Sequence, residues 1–323
     1  MNNFTCSNKG MDALEAKKLM ESVIDLPDVR KIKFLSELHE NPPTPEQIRG
    51  FAMALRESAA IKLYYPGLTD IVGTGGDGKN TVNVSTGSSI LLASMGIKVA
   101  KHGNFGITGH HGSADFLKYL NYNFDMDQEA IINNLDKINY VFMLAPQYNK
   151  NFAKFAVARK SLPYRTIFNI LGPLTNPLNP ERVILGTYDD EIARIYADVI
   201  LNEQKKGFVV HSADGLDELS PMEENHIYYI DGIIKKIKLD GRSIVDSKIE
   251  LADISERDSI KSFEMLLAGL KGRNKKVMQF IALNAAPAIL INELCSSIEE
   301  GYAMAMEHME KGRINNILGV ISQ

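Results

Sequence analysis

The chain has 323 residues, 45% hydrophobic, 24% charged and 8% aromatic, a balance that excludes disordered and collagen-like classes. Thirty-six basic against 40 acidic side chains leave a net charge of −4, which argues against nucleic acid as the main partner and favours small-molecule chemistry. Two cysteines, Cys6 and Cys295, are too few for a disulfide framework and form no CxxC pair, so a reducing compartment is expected. The amino terminus lacks a signal-peptide core and no run of about 18 apolar residues occurs. The reading is a cytoplasmic protein with no membrane partner.

In chain order, Ala13, Ala16, Leu19, Met20, Val23 and Ile24 recur at helical spacing. Thr44-Pro45-Glu46-Gln47 combines a capping hydroxyl, a proline at the first helical position and a glutamine three residues after the cap. Ile48, Phe51, Ala52 and Leu55 follow it as the apolar face. The opening stretch therefore reads as a small helical unit. From Leu68 short apolar runs bounded by glycine, among them Asp70-Ile71-Val72, Val99-Ala100, Tyr140-Val141-Phe142 and Phe208-Val209-Val210, alternate with helical stretches, the pattern of an α/β layer. Ile227–Ile230 and Ile233-Ile234 flank Asp231-Gly232, which predicts an antiparallel ribbon with a two-residue turn. Residues 260–270, 275–291 and 293–310 are expected to be helices covering the sheet, and no internal repeat is present.

Ten of the 24 glycines fall between Gly73 and Gly112, where the backbone must approach something closely. Three readings compete for this stretch. Gly73-x-Gly75-x-x-Gly78 matches a dinucleotide fingerprint, but the carboxylate wanted about twenty residues on is replaced by lysines around Lys98–Lys101. Gly73 to Lys79 also reads GxxxxGK, but Asn80 stands where the magnesium-binding hydroxyl belongs and Asp77 would point a carboxylate into the cradle.

The third reading uses more of the chain. Asp70-Ile-Val-Gly-Thr-Gly-Gly-Asp-Gly78, Asn83-Val-Ser-Thr86, Lys101-His-Gly-Asn104, Gly112-Ser-Ala-Asp115, Arg165-Thr-Ile-Phe-Asn-Ile-Leu-Gly-Pro-Leu-Thr-Asn-Pro177 and Asp214-Gly-Leu-Asp-Glu218 follow one another in order. Together they resemble the anthranilate phosphoribosyltransferase family from about Leu14 to the last helices. The resemblance implies an α/β protein with a small all-helical N-terminal domain, residues 1–65 completed by helices around 155–180. Residues 66–323 would then be a larger α/β domain with a central mixed sheet flanked by helices, binding phosphoribosyl diphosphate.

It also implies site residues. Gly73, Gly75 and Gly76 would offer backbone N–H groups to the diphosphate, with Asp77, Thr81, Asn83, Val84, Ser85 and Thr86 beside them near a helix start expected at Gly87–Ser89. The loop carrying Lys101, His102, Gly103, Asn104 and Gly109, with Ser113, would complete the donor site. Lys101, Asn104 and Arg159 would be the catalytic set, and Gly73, Asn104 and Arg159 would hold anthranilate, Arg159 through its carboxylate. Ser85, Asp217 and Glu218 would ligate Mg2+, two ions per chain, an all-oxygen set suited to that cation.

The implied reaction joins the amine of anthranilate to C1 of the phosphoribosyl group and expels diphosphate, a step of tryptophan biosynthesis, and the implied assembly is a homodimer. The sequence departs from the family at Phe105, where Arg is usual, at Asn149-Lys150, where His-Pro is usual, and at Pro163, where Gly is usual. The first two departures fall in or near the acceptor channel as the family builds it. Three alternatives stay open: a different acceptor, a nucleic-acid-binding relative, and a pyrimidine-nucleoside phosphorylase. The last lacks its lysine before Gly73 and its own loop where Lys101-His-Gly-Asn104 stands. Histidines 102, 110 and 111 share no ligand spacing with other groups, and no GxSxG elbow supports hydrolase chemistry.

Overall fold

The computed structural model describes residues 10–106 and 112–322. Two units emerge, one from Met1–Tyr64 with Ala145–Asn179, the other from Tyr65–Leu144 with Pro180–Gln323. Gly109, His110 and His111 of the sequence reading, and Cys6, lie outside the described residues.

The first unit is helical. Helices Ala13–Ile24, Asp28–Glu40 and Pro45–Glu57 are joined by short turns, and the second of them is one that the sequence reading passes over. Thr44 accepts from the Gln47 N–H while Gln47 accepts from the Thr44 N–H, so the capping box forms as its spacing predicts. The first and third helices cross so closely that a Cβ on Gly50 would lie 2.2 Å from the Ala13 carbonyl oxygen. Phe34 and Phe51 meet edge to face, with ring centroids 5.9 Å apart. The segment Ala145–Asn179 is tied to these helices by polar anchors. Lys31 Nζ donates to the Lys154 carbonyl at 2.8 Å, Arg56 Nη1 to the Leu174 carbonyl at 3.2 Å, and Asn149 Nδ2 to the Leu55 carbonyl at 2.8 Å.

The second unit is a seven-stranded mixed sheet flanked by helices. Its strands are β1 (Thr69–Gly73), β2 (Val99–Gly103), β3 (Tyr140–Leu144), β4 (Arg182–Gly186), β5 (Lys206–Ser212), β6 (Glu224–Ile230) and β7 (Ile234–Asp240). They lie in the order β3-β2-β1-β4-β5-β6-β7, the first five parallel and the last two antiparallel. From β1 the chain winds outward through β2 to β3, then returns to β4 on the other side of β1. The order therefore reverses between β1 and β4, the place where open α/β sheets offer a crevice at their carboxyl ends. Strands β1, β2 and β3 are buried nearly throughout, as parallel strands covered on both faces must be. Edge strand β7 instead exposes Lys235, Lys236 and Lys238, charges that discourage pairing with another chain.

Two local expectations need correction. The β6–β7 connection is the three-residue loop Asp231–Ile233, with Ile230 paired to Ile234, because Gly232 takes φ +68° at its centre. The helix expected over 293–310 begins only at Ile298, where the Ser297 side chain caps it; Asn292 ends the preceding helix and Glu293 turns the chain with φ +62°.

Asn149 stands at a departure from the family pattern, yet it is fully buried and holds the carboxyl end of the Pro45–Glu57 helix. Asn149→Ala removes a fully buried hydrogen bond, leaving the Leu55 carbonyl to the Ser58 hydroxyl, and should lower the unfolding free energy by about 1–2 kcal/mol in urea melts. An unchanged stability would contradict this structural role.

Candidate active site

Three chain segments of the α/β unit converge at the carboxyl ends of β1, β4 and β5. The first is the glycine loop that follows β1. Gly75, Gly76 and Gly78 take φ of +65°, +78° and +75°, and Asn80 +56°, so the loop turns through the left-handed region that glycine enters without a steric penalty. A bridge between Thr81 and Ser255 and bonds from Val82 N to Ile254 O and from Glu256 N to Asn80 O hold its far end. The helix after it begins at Val84, with Asn83 at its cap, earlier than the expected Gly87–Ser89. Ser85 and Thr86 therefore sit in its first turn, where the helix dipole favours an anion, although the Thr86 and Gly87 N–H groups both donate to the Asn83 carbonyl. Gly87 serves packing instead, since a Cβ there would lie 2.8 Å from Leu266 Cδ1.

The second segment is β5 and the loop after it, Asp214-Gly-Leu-Asp-Glu218. Asp217 passes directly over Gly73 and Gly186, which are register partners at the ends of β1 and β4. A Cβ on Gly73 would come 2.3 Å from Asp217 Oδ2, and one on Gly186 1.6 Å from the Asp217 carbonyl oxygen. The Gly75 N–H donates to Asp217 Oδ2 at 2.6 Å, and Thr81 Oγ1 donates to Glu218 Oε2 at 3.2 Å. Both carboxylates thus face the glycine loop.

The third segment is β2. Lys101 is fully buried, and its Nζ donates to the Ile71 carbonyl at 2.6 Å and to Ser85 Oγ at 3.2 Å. Asp70, also buried, accepts from the His102 N–H at 3.1 Å. Beyond β2, Asn104 Oδ1 accepts from the Phe105 N–H, its carbonyl accepts from the Ala114 N–H, and Thr86 Oγ1 donates to the Ser113 carbonyl. Gly103 lies against Phe142 and Ser113 so closely that a Cβ would be 2.7 Å from Phe142 Cζ.

The electrostatics are those of a site short of positive charge. Burial, with Asp77 close by, pushes the Asp217 carboxyl up to about 6, against the pull of the Gly75 N–H. Glu218 is raised well above the usual range by burial and by Asp217 and Asp77, and Asp77 itself is raised by burial. Burial draws Lys101 down to about 8, although Asp70, Glu218 and Asp217 pull the other way. Among the described residues no group of three or more His, Cys, Asp or Glu is arranged as a metal cage. Asp217 and Glu218 nevertheless face the glycine loop as two oxygen donors without, among the described residues, an ion-pair partner of opposite charge within bonding distance, and Ser85 Oγ, bonded to Lys101, offers a further oxygen at the start of the next helix. That chemistry fits a hard divalent cation that completes its shell with phosphate and water.

The sequence matches the model of a glycosyl transferase family, a/b domain, over residues 65–314. It is 49% identical to the anthranilate phosphoribosyltransferase of Picrophilus torridus over 96% of this chain and 95% of that protein. The Thermoplasma acidophilum protein of the same name is 36% identical over 98% and 97%. The chain belongs to the anthranilate phosphoribosyltransferase family. The fold is shared with the Thermus thermophilus anthranilate phosphoribosyltransferase at a TM-score of 0.90 and 28% identity, covering 97% of this chain and 95% of that one. A Saccharomyces cerevisiae anthranilate phosphoribosyltransferase solved in complex with PRPP and Mg superposes at 0.84 with 25% identity, covering 95% and 92%.

Within this anthranilate phosphoribosyltransferase-family chain, the structure brings Gly73, Gly75, Asp77, Thr81, Ser85, Lys101, Asp217 and Glu218 to one sheet edge. Arg159 belongs to the helical unit, in helix Ala156–Lys160, with its guanidinium carbon 5.5 Å from the Phe168 ring centroid. Burial lowers its affinity for its proton, and among the described residues no carboxylate pairs with it. Phe105, where the family usually has Arg, packs edge-on against Phe124 at 5.6 Å, and Phe124 meets Tyr122 and Phe142 at 5.3 and 5.7 Å. An aromatic contact there anchors the loop that carries Asn104.

Sequence reasoning misses Gly186, which follows an apolar run and could have been weighed as Gly73 was. It also misses Asn284, the lone amide in the apolar stretch Phe280–Leu290, which bonds the backbone just after Glu218.

Asp217 is held as a carboxylate only against its burial. Its folded value of about 6 exceeds the ordinary 3.8, so the folded chain binds more protons than the unfolded one between about pH 4 and 6. Its contribution to the metal-free protein is therefore fully present below that window and is lost as pH rises through it. Asp217→Asn should raise the unfolding free energy of metal-free protein at pH 7 by on the order of 2 kcal/mol and flatten the decline across the window. A variant less stable than the parent at pH 7 would refute this.

Proposed function

We propose that the chain transfers the 5-phosphoribosyl group of phosphoribosyl diphosphate to the amine of anthranilate and releases diphosphate. The observation that carries this is the glycine loop, turned through the left-handed region at the switch point of the sheet and facing the buried Asp217 and the half-buried Glu218. A donor with a diphosphate and a 5′-phosphate needs N–H groups, a helix start and an oxygen-liganded cation, and one sheet edge carries a glycine loop, a helix start and two carboxylates that would hold the cation. The Saccharomyces cerevisiae neighbours solved with PRPP and Mg and with 4-fluoroanthranilate support both the donor and the acceptor class.

Departure of diphosphate builds negative charge on the leaving oxygens and positive charge on the ribose ring. The N–H group of Gly76 and the Lys101 ammonium are assigned to the leaving oxygens, where fixed dipoles need no rearrangement as charge develops, while the Gly75 N–H holds Asp217 in place. Mg2+, held by Ser85, Asp217 and Glu218, would supply Lewis-acid neutralisation of the diphosphate when bound. Lys101 donates to Ser85 Oγ and so aims that oxygen's remaining lone pair. Asp77, Thr81, Asn83, Val84, Thr86, His102, Gly103 and Ser113 are assigned to the donor's wall. The attacking aryl amine is neutral at pH 7, so no strong base is required. Arg159, over the Phe168 ring, and Asn104 are each assigned to the acceptor, whose positioning would supply the proximity. Two Mg2+ ions per chain, a homodimer and a cytoplasmic setting belong to the same proposal.

The test mixes protein, phosphoribosyl diphosphate, Mg2+ and anthranilate and follows loss of anthranilate fluorescence, with EDTA and Asp217→Ala/Glu218→Ala as controls. Metal-dependent loss is expected. Arg159→Ala should raise the anthranilate KM about tenfold to a hundredfold, the value of one charge-assisted contact, with a smaller change for the donor. No loss despite donor binding would overturn anthranilate as acceptor, and an unchanged anthranilate KM would overturn the role of Arg159.

A further inference from the structure

The loop that carries Asp217 and Glu218 is held by two asparagine side chains that act as substitute backbone. Asn284, from the buried helix Lys275–Ile291, accepts from the Leu219 N–H at 2.8 Å and donates to the Leu219 carbonyl at 3.0 Å. It also donates to the Phe280 carbonyl of its own helix at 3.1 Å, which fixes the amide's orientation. Asn225, at the start of β6, repeats the pattern one residue on, accepting from the Ser220 N–H at 2.7 Å and donating to the Ser220 carbonyl at 2.9 Å. Both side chains are buried. A Cβ on Gly241 would lie 1.9 Å from that same Ser220 carbonyl, so the loop is closed in from a third side.

This is more restraint than an ordinary surface turn requires. Asp217 lies against Gly73 and Gly186 and accepts from the Gly75 N–H, and Glu218 accepts from Thr81, so a loop free to swing would carry both carboxylates off the glycine loop. Two consecutive residues clamped through both N–H and C=O leave the segment after Glu218 no such freedom.

We infer that Asn284 and Asn225 are positioning residues that hold Asp217 and Glu218 in the geometry that receives the divalent cation. The inference rests on the proposed donor and metal reading of the site. Neither asparagine touches substrate; each acts through the backbone beside the carboxylates.

The test uses the full chain and Mn2+ as probe, titrated by electron paramagnetic resonance in the presence of phosphoribosyl diphosphate without acceptor. Hydrogen exchange of the peptide over residues 213–222 in metal-free protein is the second readout. Asn284→Ala should weaken Mn2+ binding about tenfold or more, as expected for loss of two buried hydrogen bonds, and should speed exchange in that peptide. Ser247→Ala, which removes the 2.7 Å bond to Gln279 on the same helix, is the matched control and should move neither readout. If Asn284→Ala fails to fold, Asn284→Ser, which keeps a hydroxyl, takes its place with the same expectations. Parent protein that binds no Mn2+ would overturn the metal reading itself. Parent-like Mn2+ affinity and exchange in the asparagine variants, beside normal parent binding, would overturn the positioning role alone.

Discussion

The close approach of Asp217 to the ends of β1 and β4 is the constraint on which the site depends. Two paired strands must both end in glycine, because side chains at Gly73 and Gly186 would occupy the space of the Asp217 carboxylate and its backbone. Those strands are also where the order of the sheet reverses, so the crevice and the carboxylate share one origin. The same Gly73 begins the glycine loop, whose Gly75 N–H bonds the carboxylate it makes room for. Fold and site are one arrangement here.

Burial then sets the chemistry. Carboxylates at a dry sheet edge resist ionisation, and Lys101 is too deeply buried to hold its proton with ordinary strength. On the proposed reading, a metal-diphosphate pair would suit both kinds of group at once: the cation would favour the ionised carboxylates, and the phosphate oxygens would meet Lys101 and the loop. Strong mutual dependence of metal and donor binding follows from this arrangement.

Much of this was legible in the sequence because it rests on backbone needs that few residues can meet. Clustered glycines announce the loop, Thr44 and Gln47 announce a helix start, and short apolar runs announce an α/β layer. The start at Val84 was read late because Ser85 and Thr86 look like loop residues, and their value lies in the first helical turn. Gly186, Asn225 and Asn284 were passed over because each acts through contacts distant in the chain: Asn284 reaches a residue 65 positions away. Asn149 was read beside the acceptor, and its full burial against Leu55 gives it a structural task that no local pattern encodes. Phe105 shows the reverse case, a departure whose meaning lies in its aromatic neighbours Phe124 and Tyr122.

The most direct test is the location of the cation itself. Crystals of the full chain grown with phosphoribosyl diphosphate and Mn2+, measured for anomalous scattering, should show a peak liganded by donor diphosphate oxygens and by Asp217 or Glu218, with the Gly75 N–H still bonded to Asp217. A peak bound only by phosphate, with both carboxylates turned away from it, would contradict the account.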